Sequence, residues 1–535
     1  MSRAAEWLDL DPAELHAVLA RIEPHLEEPE HRTLRLGVEG FLEMRRLLAD
    51  QRLSITRLRQ MLFGAPTESS RNLLPEQPER QPPPPARPDT EDNPPPKGHG
   101  RRRAEEYTGA EHLVLDHPTL HTGEPCPHCL AGKIYTQPEP ARRVNVFGQA
   151  PLGATCYALQ RLRCNLCGEC FTAPAPEPVA TTKHDPSAAT MIAVLKHGSG
   201  FPFNRLAALQ EHLGIPVPVS TQWDIVHRAA SGLLPVHHEL IRQAAQGELL
   251  HNDDTTMRVL ELRDPEARRQ AFADLAPERC ATFTSGIVSV LPEHSIALFF
   301  TGPRHAGENL AEVLNQRARE LCAPIQMCDA LSRNVSSQFE SIVANCIAHA
   351  RRKFVEIFNS FPDECTRVLE TLRDVYKNDA TARKDGLSPE QRLVFHQTHS
   401  ASLMNALHAW MNEQIDNRLV EPNSGLGQAI AYLSNHWEKL TRFLHLPGVP
   451  LDNNLCERAL KKAILHRKAS LFFKTLNGAR VGDLFMSLIY TCQLVGADPF
   501  DYLTVLQKHP GELERAPQQW MPWNYGDALA RASPG

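Results

Sequence analysis

One acidic side chain stands alone in a basic stretch near the C-terminal end of the sequence. Glu457 lies in LDNNLCERALKKAILHRKASLFF, and residues 458–482 contain seven Lys or Arg and no Asp or Glu. A lone carboxylate beside many cations indicates a metal ligand next to a phosphate backbone. Asp253, in LLHNDDTTMRVLEL, and Asp329, in PIQMCDALSRN, each follow a short apolar run that predicts a strand. Two such aspartates and a helical glutamate suit a site that holds Mg²⁺ or Mn²⁺ for phosphodiester chemistry.

Each of these acids also has a simpler interpretation. Asp253 could cap a turn, Asp329 could end its strand, and Glu457 and Lys461 have the i, i+4 spacing of an exposed ion pair. Asp254 directly follows Asp253, and consecutive residues of a strand point to opposite faces. We therefore expect only one of these two aspartates to serve the metal site, and the other to bond Thr256 or a basic side chain.

Composition excludes several classes of protein. The chain has 535 residues, enough for several domains, and its net charge of −6 excludes a generally basic nucleic-acid coat. No apolar run approaches the roughly 20 residues that a membrane helix needs. The N-terminus lacks an apolar signal core. We expect a cytoplasmic protein that does not contact membranes.

Two CxxC motifs, CPHC and CNLC, are separated by 34 residues. Paired thiolates in a reducing compartment suit a four-coordinate structural zinc ion better than a disulfide framework. The predicted zinc ligands are Cys126, Cys129, Cys164 and Cys167. Substitute ligands nearby are Cys156, Cys170 and His128. The alternative is a set of free cysteines.

The order of predicted strands and helices changes after residue 247. Strands are predicted at 248–252, 281–291 and 295–301, a helix at 306–321, a strand at 324–328, a short helix, a strand at 342–348 and a further helix. This is the order of a ribonuclease-H-like fold, in which the first and fourth strands are adjacent, so Asp253 and Asp329 would lie side by side. The predicted class is a multidomain α+β protein with a ribonuclease-H-like α/β catalytic core and an all-helical insertion, preceded by a helical N-terminus and a zinc-binding segment.

The chain divides into seven predicted segments. They are 1–70, helical and a candidate coiled-coil dimerisation region; 71–110, a Pro-rich linker; 111–178, a zinc-binding domain; 179–245, helical and a candidate DNA-binding region; 246–354 with 451–495, the catalytic core; 355–450, a helical insertion; and 496–535, a C-terminal tail.

Two of the helical segments carry motifs with more than one interpretation. In the first, apolar residues recur every seven positions, at Phe41, Leu48, Ile55 and Leu62, which indicates either a self-association seam or an internal packing face. Residues 204–226 predict a helix–turn–helix, with Ser220 capping its second helix, or a plain helical connector.

Several stretches together resemble transposases of the insertion-sequence-66 family, a bacterial DDE group. They are RLRQMLFG, CPHC with CNLC, FPFNRLAALQEHLGIPVPVSTQW, HNDDTTMRVL, IQMCDA, CIAHARRKF, DNNLCERALKKAILHRK and CQLVGADPFDYL with MPWNY. The resemblance implies that Asp253, Asp329 and Glu457 form the acidic triad, and that Asp254 takes a position usually held by Glu. The sequence departs from the family pattern at Ile347 and Ala330, neither of which is an expected ligand.

The resemblance implies a DNA transposase that cleaves and transfers strands at the ends of an insertion sequence. Its expected partners are the element's ends, target DNA, further copies of the chain and small accessory proteins of the same element, in the nucleoid of a bacterium. Two alternatives remain open, a ribonuclease-H-like nuclease and a non-catalytic, zinc-dependent DNA-binding protein.

Basic residues and one histidine complete the predicted site. His349 lies 20 residues after Asp329, at the end of the expected fifth strand. It could contact the scissile phosphate or a metal-bound water, or be a buried structural residue. The predicted phosphate contacts, which could instead form a solvated basic face, are Arg351, Arg352, Lys353, Lys461, Lys462, Arg467 and Lys468.

Overall fold

The computed structural model describes residues 150–163, 170–174, 183–273, 279, 281–335 and 338–532, together with isolated residues before position 150. The predicted seam between residues 41 and 62, the Pro-rich linker and the four predicted zinc ligands lie outside these residues. The described chain separates into two compact units. We call residues 349–385 with 399–434 the helical unit. The described parts of 78–348, 386–398 and 435–535 are the sheet unit.

Strands form two sheets in the described part of the chain. The strands are β1 (Arg161–Arg163), β2 (Cys170–Thr172), β3 (Leu249–Thr256), β4 (Phe283–Val290), β5 (Ser295–Gly302), β6 (Ile325–Cys328) and β7 (Ile342–Asn345). β1 and β2 pair with each other, and the other strands form a five-stranded sheet in the order β5-β4-β3-β6-β7.

Helices account for most of the regular structure. They are α1 (Pro186–Ala193), α2 (Phe203–His212), α3 (Val219–Ala244), α4 (Pro265–Ala271), α5 (Ala306–Leu314), α6 (Ile347–Ile357), α7 (Pro362–Lys384), α8 (Pro389–His399), α9 (Ala401–Asp416), α10 (Gly425–Asn435), α11 (Trp437–Leu440), α12 (Asn454–Ser470), α13 (Leu476–Val495), α14 (Pro499–Lys508), α15 (Pro510–Arg515) and α16 (Tyr525–Ala532). The molecule is a mixed α+β protein, and no helix in its described part is both long and apolar enough to span a lipid bilayer.

The five-stranded sheet is mixed in direction. β3 pairs antiparallel with β4, and β4 pairs antiparallel with β5. β3 pairs in parallel with β6, and β6 with β7. The predicted adjacency of the first and fourth strands is therefore present, because these strands are β3 and β6. Parallel neighbours end at the same edge of a sheet, so residues that follow β6 come to lie near the second half of β3.

Three predicted boundaries were wrong. The helix predicted over 306–321 ends at Leu314, because the Arg317 guanidinium donates to the carbonyl oxygens of Ala245 and Gly247 at 2.8 and 2.7 Å and holds a turn there. The strand predicted over 342–348 ends at Asn345, and α6 begins two residues later.

The third boundary concerns α3. It begins at Val219, so Ser220 lies inside its first turn and does not cap it. Pro218 occupies the N-cap position, and the Gln222 side chain donates to the carbonyl oxygens of Phe203 and Val217 at 3.1 and 2.8 Å. These bonds fix the turn between α2 and α3. The 26-residue helix then runs through the core of the sheet unit.

Helix α13 covers the free edge of the five-stranded sheet. Asp483, Ser487 and Thr491 are spaced by four residues, and they accept hydrogen bonds from the backbone N–H groups of Thr301, Phe299 and Ala297 at 2.6, 3.0 and 3.1 Å. Four helical residues rise about 6 Å and two strand residues about 6.8 Å, so the two repeats match over this length. The polar stripe of α13 therefore satisfies edge groups of β5 that would otherwise remain unpaired.

The helical unit has a core of its own. Residues 355–450 were predicted to be helical, and their regular structure consists of helices. Inside the unit, α7 and α9 pack together, and the Arg367 guanidinium lies 5.1 Å from the centre of the Trp410 ring.

The segment predicted as a C-terminal tail is folded. Tyr502 is fully buried in the sheet unit, and its hydroxyl donates to the Trp520 carbonyl at 2.9 Å.

Candidate metal centre

A glycine in β4 brings the helix that carries Glu457 close to β3. Gly286 pairs with Asp253 across the two strands. A Cβ atom at Gly286 would lie 3.0 Å from the Leu460 side chain and 3.3 Å from Cys456 Sγ. The Cys456 thiol donates to the Gly286 carbonyl at 3.2 Å. Because position 286 has no side chain, α12 packs directly on the sheet, and Glu457 in its first turn lies beside the strand of Asp253.

The charges of the other two predicted acids act on Asp253. Its pKa is raised to about 7, chiefly by burial and next by the negative charge of Asp329, with smaller contributions from Asp254 and Glu457. A hydrogen bond from the backbone N–H of Asp254 opposes this rise. The structure thus brings Asp253, Asp329 and Glu457 together, although they are separated by up to 204 residues in the sequence.

One amide joins the two aspartates. Asn334 is fully buried, and its Nδ2 donates to Asp329 Oδ1 at 2.6 Å and to Asp253 Oδ1 at 3.2 Å. The backbone N–H of Leu331 also donates to Asp329 Oδ1, at 3.1 Å. These bonds hold two oxygens of like charge near one another, which their repulsion would otherwise oppose.

A network of buried polar side chains bonds to the backbone of Asn334 and so fixes the residue that joins the two aspartates. The Gln326 side chain donates to Asn252 Oδ1 at 2.9 Å and to the Asn334 carbonyl at 2.7 Å, and Asn252 Nδ2 also donates to that carbonyl at 2.7 Å. Asn453, just before α12, donates to the Asn252 carbonyl at 3.0 Å, and its Oδ1 lies 3.0 Å from His251 Nδ1. Burial lowers the pKa of His251 to about 4, so the network is uncharged at neutral pH.

Asp254 has different partners from Asp253. Its side chain is almost fully buried, with Oδ2 at 3.0 Å from His305 Nδ1 and Oδ1 at 3.4 Å from Arg333 Nη2. The expected basic partner is therefore present, and Thr256 is not needed for that role. The alternation of side chains along β3 separates the two aspartates as predicted.

The prediction for His349 was wrong in one respect. It does not end a strand but lies in the first turns of α6, within the helical unit. The backbone N–H of Cys346 makes the last bond to β6, to the Cys328 carbonyl at 3.0 Å. The strand stops there because the N–H of Ile347 instead donates to the Leu451 carbonyl at 3.0 Å, outside the sheet.

The predicted phosphate contacts differ in what they touch. Lys461 and Lys468 are exposed on α12. Lys462 Nζ donates to the Gly198 carbonyl at 3.2 Å, and Arg467 donates to the hydroxyl groups of Thr255 and Thr256 at 2.9 and 2.8 Å.

The other predicted phosphate contacts, Arg351, Arg352 and Lys353, lie on α6. Within the helical unit, Lys353 Nζ lies 5.7 Å from the centre of the Tyr432 ring.

The donor atoms at the centre fit a hard divalent cation. They are carboxylate oxygens, the ligands that Mg²⁺ prefers, and the charges of Asp329 and Glu457 are close enough to raise the pKa of Asp253. Asn334 Oδ1 is buried and accepts no hydrogen bond from any described residue, and a flip of the amide would turn this oxygen toward the acids. Cys346 Sγ lies within 4.8 Å of a Glu457 oxygen, but a thiol is a poor ligand for Mg²⁺.

Sequence reasoning missed Asn334, Asn453, His305 and Arg333. Asn334 follows Asp329 by five residues in a loop, where an amide commonly serves a turn. The available signal was that it is the first amide side chain after a strand-end acid, in the segment that joins β6 to β7. His305 and Arg333 are missed because only the folded sheet brings them to Asp254.

Comparisons with known proteins agree on one family. A family model described as Transposase IS66 family matches residues 182–481. The uncharacterized protein y4jD of Sinorhizobium fredii (strain NBRC 101917 / NGR234) is 25% identical over 524 residues, which cover 94% of this chain and 99% of the relative. The uncharacterized protein y4hP of the same organism is 26% identical over 394 residues, 69% of this chain and 68% of the relative. No solved structure matches the chain.

Proposed function

Since the chain belongs to the IS66 family of transposases, we propose that it cleaves DNA strands at the ends of an insertion sequence and transfers them to target DNA. The observation that carries this proposal is the shared amide between Asp253 and Asp329, beside the charge of Glu457. Such a cluster of buried acids is costly unless a cation or a proton offsets it. We infer that these acids are the catalytic triad.

We also infer that the sheet unit holds a ribonuclease-H-like core. The strand order β5-β4-β3-β6-β7, with antiparallel pairing on one side of β3 and parallel pairing on the other, supports this inference. The position of α12 across β4 supports it as well, because it brings the third acid to the strand that carries the first.

Asp253, Asp329 and Glu457 would hold Mg²⁺ or Mn²⁺ through their carboxylate oxygens. Such cations supply charge stabilisation for an in-line displacement at phosphorus. In cleavage, a water oxygen bonds to the scissile phosphorus and the bond to the 3′ oxygen breaks, which leaves a 3′-hydroxyl. In transfer, the oxygen of that hydroxyl bonds to a target phosphorus, and the bond from this phosphorus to its own 3′ oxygen breaks, which leaves a 3′-hydroxyl on the target strand. Both steps therefore use one site with different nucleophiles.

Within this mechanism the chain positions the acids and the DNA. Asn334 and the network around Asn252 fix the positions of the Asp253 and Asp329 carboxylates. The bonds of Asp254 to His305 and Arg333 keep the Asp254 carboxylate out of the cation site. Exposed Lys461 and Lys468 would contact phosphates, which orient a duplex without reading its sequence.

Zinc, self-association and accessory proteins extend the proposal to the rest of the chain. Pro125 pairs antiparallel with Lys133, on either side of CPHC in the sequence, and β1 and β2 flank CNLC in the same way. This pairing supports a zinc site of Cys126, Cys129, Cys164 and Cys167, because CxxC pairs commonly lie between paired strands. We further propose that residues 1–70 associate copies of the chain, and that small proteins of the same element assist it.

The first prediction compares four charge-removing variants of the full chain. Asp253→Asn, Asp329→Asn and Glu457→Gln should each lose cleavage and strand transfer by several orders of magnitude, because amides keep the shape but not the charge that holds Mg²⁺. Asp254→Asn is the matched control and should retain part of the activity. The assay uses the element's own ends in Mg²⁺ and in Mn²⁺, with folding and end binding measured in parallel.

The outcomes separate the rival functions. Cleavage without transfer would favour a nuclease, and end binding without either reaction would favour a non-catalytic DNA-binding protein. Full activity in Glu457→Gln would refute the triad. An inactive Asp254→Asn beside an active Asp253→Asn would reverse the choice between these neighbours.

A further inference from the structure

A cavity of about 470 Å³ opens beyond the end of β3, near the proposed metal centre. It is lined by Thr256, Met257, Arg258, Leu260, Arg263, Arg467, Leu471 and Phe472. Thr256 follows Asp253 by three residues on β3, and Arg467 follows Glu457 by ten residues on α12. The cavity therefore shares its supporting strand and helix with Asp253 and Glu457, although none of the three acids lines it.

One wall of the cavity has a strained backbone. Leu471, just after α12, has φ 68° and ψ −37°, and the Phe472 N–H donates to the Ser470 carbonyl at 2.9 Å. This is a γ-turn with a positive φ at a bulky residue, a conformation that costs free energy unless glycine adopts it. The turn leaves the Leu471 side chain 64% exposed and that of Phe472 37% exposed. Strain and solvent-exposed apolar area thus coincide at the cavity wall.

The cavity is held in shape by neighbouring backbone and side-chain bonds. The Phe473 N–H donates to the Arg258 carbonyl at 2.9 Å, and the Leu260 N–H donates to the Phe473 carbonyl at 2.9 Å. Arg467 bonds to Thr255 and Thr256, as described above. The walls are therefore formed before any ligand arrives, which lowers the entropic cost of binding.

The lining combines cations with apolar side chains. Three arginines line the cavity. The nearby Glu261 accepts a hydrogen bond from the Leu476 N–H at 2.7 Å, which turns part of that carboxylate towards α13. Arginines bind phosphate through planar, paired donors, and exposed Leu and Phe side chains offer a surface for a flat ring. A ligand that matches both features has a phosphate joined to an aromatic base.

We propose that this cavity, which we call the arginine pocket, takes one unstacked nucleotide of the DNA substrate. The phosphate lies against Arg258 and Arg263, and the base packs on Leu471 and Phe472. This inference rests on the proposed function, because a transposase must distort the duplex where it cuts and joins. A base enters such a pocket at lower cost from a single-stranded end, where no pairing or stacking is lost.

The test measures binding by the full-length protein in Ca²⁺, with two probes of arbitrary sequence. One is a blunt duplex, and the other is the same duplex with a short single-stranded overhang that carries 2-aminopurine. The parent protein should prefer the overhang probe by about tenfold and change its fluorescence, as expected when a base stacks on an apolar side chain. Phe472→Ala and the double variant Arg258→Ala with Arg263→Ala should lose this preference.

A third variant of the pocket and one control complete the test. Leu471→Gly relieves the positive φ, so it should keep or raise the melting temperature while it weakens the overhang preference. The double variant Arg319→Ala with Leu321→Ala removes a comparable exposed pair elsewhere in the sheet unit and should change nothing. Equal effects of Phe472→Ala on both probes, or no effect on either, would refute the arginine pocket as a nucleotide site.

Failure of the pocket and failure of the proposed function give different results. The overhang preference is measured on the parent protein in Ca²⁺, where binding does not require cleavage. If the parent shows this preference while Asp329→Asn keeps full cleavage activity in Mg²⁺, the catalytic assignment fails while the pocket stands. If the catalytic variants behave as predicted and Phe472→Ala keeps the preference, only the pocket fails.

Discussion

Asn334 bonds two carboxylates that would otherwise repel each other. Its Nδ2 donates to both Asp253 and Asp329, while its Oδ1 has no hydrogen-bond partner among the described residues. A neutral amide can turn its oxygen or its nitrogen toward a site, so it suits both an empty and a cation-filled centre. We therefore regard Asn334 as a positioning residue for the proposed cation site.

The second prediction concerns this amide. Asn334→Ala should weaken Mn²⁺ binding and cleavage by about 10–100-fold, the usual cost of losing a group that orients metal ligands. Manganese binding is measured on the full-length protein by electron paramagnetic resonance, so the readout does not depend on turnover. Asn315→Ala, at an exposed asparagine that follows α5, is the matched control and should leave both quantities unchanged. Normal Mn²⁺ affinity in Asn334→Ala would contradict the positioning role.

At this scale the sequence reveals acids more readily than their partners. Asp253 and Asp329 stand out because each follows an apolar run, and Glu457 because its neighbours are basic. Asn334 gives no such signal, since an asparagine in a loop usually serves the loop itself. The placement of His349 failed because a strand of four residues and the start of a helix have similar apolar patterns here.

Among the elements, α13 shows how a helix can replace a missing strand. Its polar residues at every fourth position bond to alternate N–H groups of β5. The apolar residues of 479–495 predict a helix, and α13 covers Leu476–Val495. What the apolar pattern does not indicate is the stripe of Asp483, Ser487 and Thr491, whose function depends on a partner nearly 200 residues away.

The third prediction concerns the pH dependence of this contact. Burial raises the pKa of Asp483 to about 7, against hydrogen bonds from Thr301 that lower it. The unfolded chain has the ordinary Asp value of about 3.9. The folded protein thus binds this proton more tightly. The stability contributed by the protonated group is fully present below about pH 4 and is lost as the pH rises through about 7.

Asp483→Asn tests this prediction because an amide stays neutral at every pH. The free energy of unfolding, from urea titrations across this pH range, should fall less steeply with rising pH than in the parent protein. Asp527→Asn, at an exposed position of α16, should leave the slope as it is. An unchanged slope in Asp483→Asn would mean that the carboxyl is already ionised throughout the range.

The strand order could be predicted because each strand is a compact apolar run with turn residues between. The strands predicted at 281–291 and 295–301 correspond to β4 and β5, which pair antiparallel, and the adjacency of β3 and β6 followed from the predicted fold. Element ends were less predictable. The guanidinium of Arg317, which ends the turn after α5, bonds to carbonyls about 70 positions earlier in the chain. No local pattern contains that information.

Across the whole molecule, zinc and the cations of the proposed centre should have separate roles. The fourth prediction is that Cys126→Ser with Cys164→Ser removes zinc from the full-length protein, because tetrahedral sites need all their thiolates. Binding to the element's ends should weaken, while the unfolding temperature of the sheet unit should not change. Elemental analysis measures the zinc content, and calorimetry measures the unfolding temperature. Cys322→Ser, at an exposed cysteine of the sheet unit, is the control. Unchanged zinc content in the double variant would disprove this ligand set.

Net charge alone does not predict DNA binding for a chain that carries −6. What matters is where cations are exposed, and the structure narrows the predicted set. Arg467 bonds to Thr255 and Thr256, and Lys462 bonds to Gly198, so alanine at either position would disturb the fold as well as the charge. Lys461 and Lys468 are exposed on α12 and can be removed without breaking a described bond.

The fifth prediction is that Lys461→Ala with Lys468→Ala flattens the salt dependence of duplex binding. Each phosphate contact contributes about 0.9 to the slope of log affinity against log salt, so two lost contacts should reduce the slope by about 1.8. Arg319→Ala with Lys508→Ala removes the same charge from exposed positions elsewhere and should leave the slope near that of the parent. The parent and the α12 variant should converge at high salt, where counterion release no longer favours binding. Parallel lines would instead mean that α12 turns this face away from DNA.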